Sequence, residues 1–149
     1  ADFMEGCMEL GGLLGDWQED EIIELKKYGH ALGMAFQITD DIMDYRETAE
    51  TTGKPVGNDL REGLLTYPLL SIVNDGNKDK LLEDIKGLNN GGNEQDIIDY
   101  VIAQGGIDNT LAVADKYCKD ALAALAAVRD FSGKEFLVMA VENLADRKV

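Results

Sequence analysis

Histidine occurs once in the 149 residues, at His30, and cysteine twice, at Cys7 and Cys118. One histidine excludes a His-rich metal cluster, and two distant cysteines make neither a zinc-type spacing nor a disulfide framework. A reducing, cytoplasmic setting is therefore expected. Positive charge is also scarce: 14 Lys and Arg stand against 29 Asp and Glu, a formal net charge of -15. That balance argues against nucleic acid, whose phosphates demand a basic surface, and against an anionic membrane surface. Long hydrophobic runs are missing. The longest, Ala121 to Val128, is far too short for a transmembrane segment. No signal peptide pattern and no Met open the chain. It begins inside a helical pattern, so a piece of a longer protein is expected.

What is present has a helical period. Hydrophobic residues make up 45% of the sequence, enough for a buried core. Phe3, Cys7, Leu10 and Leu14 mark an apolar helix face, and Gly11, Gly12 and Gly15 end that helix or let a neighbour approach closely. A long helix is predicted from Trp17 to Glu47, apolar over much of its circumference and so central in a bundle. Thr48 to Gly63 breaks every period and reads as one loop. Further helices are predicted at Leu64–Val73, bent by Pro68, around Leu81–Leu88, at Glu94–Gln104 and at Leu111–Val128. Gly105 and Gly106 separate the last two. Ser132 and Glu135 have capping-box spacing for a final helix through Leu144. The expected fold class is all-α, a helical bundle.

The long helix ends in Gln37-Ile38-Thr39-Asp40-Asp41-Ile42-Met43-Asp44. At about 100° per residue, Gln37, Asp40, Asp41 and Asp44 share an arc of roughly a quarter to a third of a turn. Like charges at these spacings repel, and the helix C-terminus disfavours anions further. A solvated acidic face is the ordinary reading of such a triad. Here, however, the acids close a nearly apolar helix, and breaking two local rules together is expected at functional sites. A hard divalent cation with oxygen ligands resolves the conflict, and Mg²⁺ favours one or two carboxylates plus substrate phosphates. No EF-hand loop follows. About ten residues on comes Gly53-Lys54-Pro55-Val56-Gly57-Asn58-Asp59-Leu60. Lys54, held extended by the following proline, reads either as a plain surface lysine or as one reaching back over the acids. Acids, Mg²⁺ and a lysine together outline a diphosphate clamp.

Gly33-x-Ala35-Phe36-Gln37-Ile38-x-Asp40-Asp41-Ile42-x-Asp44, followed by Gly53-Lys54-x-x-Gly57-x-Asp59-Leu60-x-Glu62-Gly63-x-x-Thr66-x-Pro68-Leu69, resembles the second aspartate-rich motif of trans-isoprenyl diphosphate synthases. Cys7-Met8-Glu9-Leu10-Gly11 resembles the helix after that family's Lys-Thr pair, and Leu144-Ala145-Asp146-Arg147-Lys148 resembles its basic C-terminus. The resemblance covers the chain as the C-terminal half of a polyprenyl synthetase domain, residues 1–149. It implies condensation of isopentenyl diphosphate with an allylic diphosphate, with Mg²⁺ as cofactor. Asp40 would ligand Mg²⁺, Asp44 directly or through water, and Asp41 through water or by holding the groups around the ligands. Gln37 would face the allylic carbon, Lys54 would neutralise the leaving diphosphate, and Arg147 and Lys148 would close over isopentenyl diphosphate.

Two departures stand out. Leu64 replaces a lysine of many members, and the first aspartate-rich motif, which lies upstream in the family, is absent. The resemblance therefore leaves a second reading: a non-catalytic Mg²⁺-binding fragment or subunit that acts by association. Either a homodimer or association with the missing N-terminal half is expected. A terpene cyclase fits less well, because Glu62 is wrongly spaced after Asn58-Asp59 and no hydroxyl intervenes.

Overall fold

The computed structural model describes residues 1–46, 57–88 and 90–146. Among them the fold is all-α, with eight helices and no strand. These are α1 (Asp2–Leu14), α2 (Glu19–Arg46), α3 (Asn58–Arg61), α4 (Tyr67–Leu70), α5 (Lys78–Leu88), α6 (Glu94–Ala103), α7 (Gly106–Ala126) and α8 (Lys134–Asp146). No described helix is long and apolar enough to cross a membrane. The chain divides into two compact units, one of Ala1–Thr39 with Ala112–Val149 and one of Asp40–Leu111.

In the first unit, Leu25, Tyr28, Ala31 and Ala35 of α2 pack with Cys118, Ala121 and Leu125 of α7 and with Val141 and Leu144 of α8. The alanines keep these helices close, and each fully buried Leu or Val stabilises by about 1.5–3 kcal/mol. Tyr28 is fully buried and donates its hydroxyl to the Leu137 carbonyl at 2.9 Å. Burial pushes its phenol up to about 12.

Helix α1 packs with the face opposite to the expected one. Phe3 is 82% exposed, Leu10 56% and Leu14 79%, and Cys7 is exposed as well. The one buried residue of α1 is Gly12. A Cβ on Gly12 would lie 2.9 Å from Ile22 Cγ1. On α2, a Cβ on Gly29 would lie 2.6 Å from the Met4 carbonyl oxygen, and one on Gly33 2.6 Å from Ala1 Cα. The two backbones touch where side chains are missing, so the bulky apolar stripe of α1 is left outward.

In the second unit, Ile42 and Tyr45 of α2 join Leu60, Leu69, Leu81, Ile97, Ile98, Val101 and Ile107 in a separate core. The Asn93 side chain caps α6 by accepting the Gln95 N–H at 3.2 Å. Several boundaries differ from expectation. The expected loop of Thr48 to Gly63 contains α3, whose first N–H groups are paired by Asp44, and α1 continues through Gly11 and Gly12 to Leu14. The Leu64–Val73 pattern yields only the four-residue α4, in which Pro68 sits in the first turn, where its missing N–H costs nothing. Helix α7 starts at Gly106 rather than Leu111, so Gly106 opens a helix instead of stopping one. Helix α8 starts at Lys134, directly after Gly133, which leaves Ser132 outside the capping position.

Candidate functional site

The C-terminal two turns of α2 supply the acids, and each one meets a different environment. Asp44 is half-buried, and both of its carboxylate oxygens accept backbone hydrogen bonds. Oδ1 accepts the Asn58 N–H at 3.1 Å, and Oδ2 accepts the Asp59 N–H at 3.2 Å. Its own carbonyl accepts the Gly57 N–H at 3.1 Å. Asp44 thus caps α3, satisfying N–H groups that a helix start leaves unpaired. The chain reaches this cap through Gly57, whose φ of 76° is left-handed. A Cβ there would also lie 2.9 Å from Ile98 Cδ1, so glycine is needed on two counts.

Asp41, also half-buried, accepts the Tyr67 N–H at the start of α4, at 3.2 Å. Asp40 is exposed, and among the described residues it makes no hydrogen bond or ion pair. The three acids therefore share a helix end but are not equivalent. Two bind backbone of the following segment, and the Asp40 side chain is exposed.

Asp59 joins them. Desolvation holds its carboxyl above the ordinary 3.8, and the charges of Asp44, Asp41, Glu62 and Asp40 add to the rise. Among the described residues, however, no three of these carboxylates bring ligand oxygens within 4.8 Å of one another, so the acids share a helix end without forming an assembled ligand set. Asp59 and Glu62 were read only as parts of a motif. Their approach to the α2 acids depends on the α3 cap, for which spacing along the chain carries no signal. Beneath the acids, Tyr45 is buried, receives the Thr66 hydroxyl at 3.4 Å, and has its phenol pushed by burial up to about 12. Arg61 pairs with Glu94 and so ties α3 to α6.

Gln37 is exposed on α2, one turn before the acids. Lys54 and the basic pair Arg147 and Lys148 lie outside the described residues. Leu64 is half-exposed just after α3, with its N–H bound to the Asp59 carbonyl at 2.8 Å.

The profile of the family described as Polyprenyl synthetase matches residues 1–104. The chain belongs to that family. Among curated polyprenyl synthetase relatives, it is 32% identical over 142 residues to "Octaprenyl diphosphate synthase" of Escherichia coli (strain K12). That match takes in 93% of this chain and 44% of the relative. Among solved structures, heptaprenyl diphosphate synthase from Staphylococcus aureus superposes with a TM-score of 0.83 at 28% identity, over 98% of this chain and 46% of that one. A polyprenyl synthase from Caulobacter crescentus CB15, solved with calcium and isoprenyl diphosphate, superposes with a TM-score of 0.80 at 30% identity. There the match takes in 100% of this chain and 47% of that one. The chain thus spans slightly less than half the length of these three relatives.

Proposed function

We propose that residues 1–149 are the C-terminal half of a cytoplasmic, Mg²⁺-dependent prenyltransferase that condenses isopentenyl diphosphate with an allylic diphosphate to a longer polyprenyl diphosphate. The observation that carries this reading is the division of labour among the α2 acids. Asp44 and Asp41 secure α3 and α4, while Asp40 presents an uncommitted carboxylate at the same helix end. The Caulobacter crescentus relative, with calcium and isoprenyl diphosphate bound, supports a divalent cation and a diphosphate as the ligands.

In this reading Asp40 would hold Mg²⁺, Asp44 would join it directly or through water, and Asp41 would act through water or by holding the groups around the ligands. Bound Mg²⁺ supplies positive charge against the leaving diphosphate. Asp59 adds negative charge that favours a cation at this helix end. Gln37 orients the allylic carbon from one turn deeper. Lys54 neutralises diphosphate oxygens, and Arg147 and Lys148 close over isopentenyl diphosphate. Of these groups, Lys54 would act with the cation on the negative charge that develops on the leaving diphosphate as the allylic bond ionises.

A second reading, a non-catalytic Mg²⁺-binding fragment that works by association, is favoured by the outward apolar stripe of α1. Both readings make a partner necessary, either a second copy or the upstream half. The test is incorporation of radiolabelled isopentenyl diphosphate by the chain alone and mixed with the upstream half of a relative. Expected is no turnover alone, and turnover in the mixture that requires Mg²⁺ and is lost in Asp40→Asn. Turnover in the mixture that ignores Asp40→Asn would overturn the site. A mixture that binds Mg²⁺ and assembles without turnover would select the second reading.

A further inference from the structure

We infer that Asp2, Glu5 and His30 form a surface site for a borderline divalent transition ion such as Zn²⁺, separate from the aspartates at the end of α2. The ligating atoms of these three side chains lie within 4.8 Å of one another, and all belong to the first compact unit. Asp2 and Glu5 stand one turn apart in the first turn of α1, and His30 projects from α2. Their approach is built into the backbone. Gly29 and Gly33 flank His30 and let α1 run against α2 with contacts of 2.6 Å from an added Cβ to Met4 O and Ala1 Cα. Met4 and Ala1 are the neighbours of Glu5 and Asp2. The helix contact therefore fixes the carboxylates beside the imidazole.

The donor chemistry selects the ion. An imidazole nitrogen with two carboxylate oxygens suits Zn²⁺, Ni²⁺ or Co²⁺, whereas Mg²⁺ prefers oxygen alone. The geometry is close to what Zn²⁺ needs. Bonds of about 2.0–2.1 Å in a tetrahedron place neighbouring ligand atoms roughly 3.3–3.4 Å apart. His30 Nδ1 already lies 3.2 Å from Glu5 Oε2. Asp2 is exposed, so a rotamer change brings its carboxylate in at little cost. An open cavity of about 760 Å³ begins at Glu5 and His30 and leaves room for water in the remaining coordination position.

One cation already competes. Lys26 Nζ lies 3.9 Å from Glu5 Oε1, but it donates its hydrogen bond to Glu9 Oε1 at 3.0 Å. The ammonium therefore leans on Glu9 and leaves Glu5 Oε2 turned to His30. Removing the Lys26 charge should strengthen the site, a result opposite in sign to loss of a ligand.

The experiment is calorimetric titration of the chain with Zn²⁺ in excess Mg²⁺, with Co²⁺ absorption as the signature of a nitrogen ligand. Expected is one ion per chain, with affinity reduced about tenfold or more in His30→Asn. Affinity should rise in Lys26→Met and stay unchanged in Asp40→Asn. Zn²⁺ should also raise the melting temperature of the parent chain, and of Asp40→Asn, but not of His30→Asn, because the ion ties α1 to α2 only when bound. Equal Zn²⁺ affinity in the parent and His30→Asn, or affinity lost in Asp40→Asn, would overturn the assignment. So would the absence of binding.

Discussion

The carboxylate of Asp44 reaches across fourteen residues of sequence to the backbone of Asn58, whose N–H it accepts at 3.1 Å. The second oxygen holds the next N–H, that of Asp59, and the Asp44 carbonyl takes that of Gly57. One residue of α2 thus fixes the start of α3 through three hydrogen bonds. An acid expected as a metal ligand thus has a structural task, which can be tested apart from the proposed one.

Asp44→Asn should cost stability as well as activity. It removes the charge from a group that accepts two backbone hydrogen bonds, a loss of about 1–3 kcal/mol. Asp40→Asn, on an exposed side chain, should change stability by no more than about 0.5 kcal/mol. In a reconstituted enzyme, Asp40→Asn should instead lower kcat by orders of magnitude, as loss of a direct ligand does. Urea unfolding and single-turnover kinetics on both variants give the comparison. Equal stability losses would show that the Asp44 cap contributes nothing.

Asp59 should make stability depend on pH in an unusual direction. Its carboxyl titrates above the ordinary 3.8 because burial and four neighbouring carboxylates disfavour the anion. The folded chain therefore binds more protons than the unfolded chain in the window just above 3.8. By linkage this contribution is stabilising at low pH and is lost as pH rises through the folded value. Asp59→Asn should raise the melting temperature at neutral pH, with the gain shrinking on acidification toward the ordinary carboxyl range. A gain that is constant with pH would remove charge repulsion as its cause.

Gly29→Ala should destabilise by about 1–3 kcal/mol, the usual penalty for overpacking. The added methyl meets main-chain atoms, Met4 O at 2.6 Å and Glu5 Cα at 2.9 Å, which cannot rotate away. Gly11→Ala should do the opposite, gaining about 0.5–1 kcal/mol, because it lies in a helix with nothing within 4 Å of its Cβ position. Chemical denaturation of the two variants beside the parent chain would test both signs at once.

The stripe of Phe3, Leu10 and Leu14 should drive association. Replacing Phe3 and Leu14 together by Glu should shift the chain toward monomer in light scattering, with stability changed by no more than about 0.5 kcal/mol per site. An unchanged mass in solution would mean that this face takes no part in assembly.

The all-α class, the start of α2 to within two residues, and the placement of α6 were legible in the order of residues. Apolar spacing and caps act over one or two turns, and the chain carries that information locally. That Gln37, Asp40, Asp41 and Asp44 fall on the last turns of one helix was legible for the same reason, since helical spacing is local. Contacts between distant segments decided the rest. Nothing in Thr48–Gly63 announces α3, because its first N–H groups are satisfied by Asp44 on another helix. The periodicity of α1 showed that Phe3, Cys7, Leu10 and Leu14 share a face, but not that this face lies outward. That outcome follows from Gly12, Gly29 and Gly33, where missing side chains let backbones meet and so set which way α1 turns. A helical period shows which residues lie side by side; only the packed chain determines what lies opposite them.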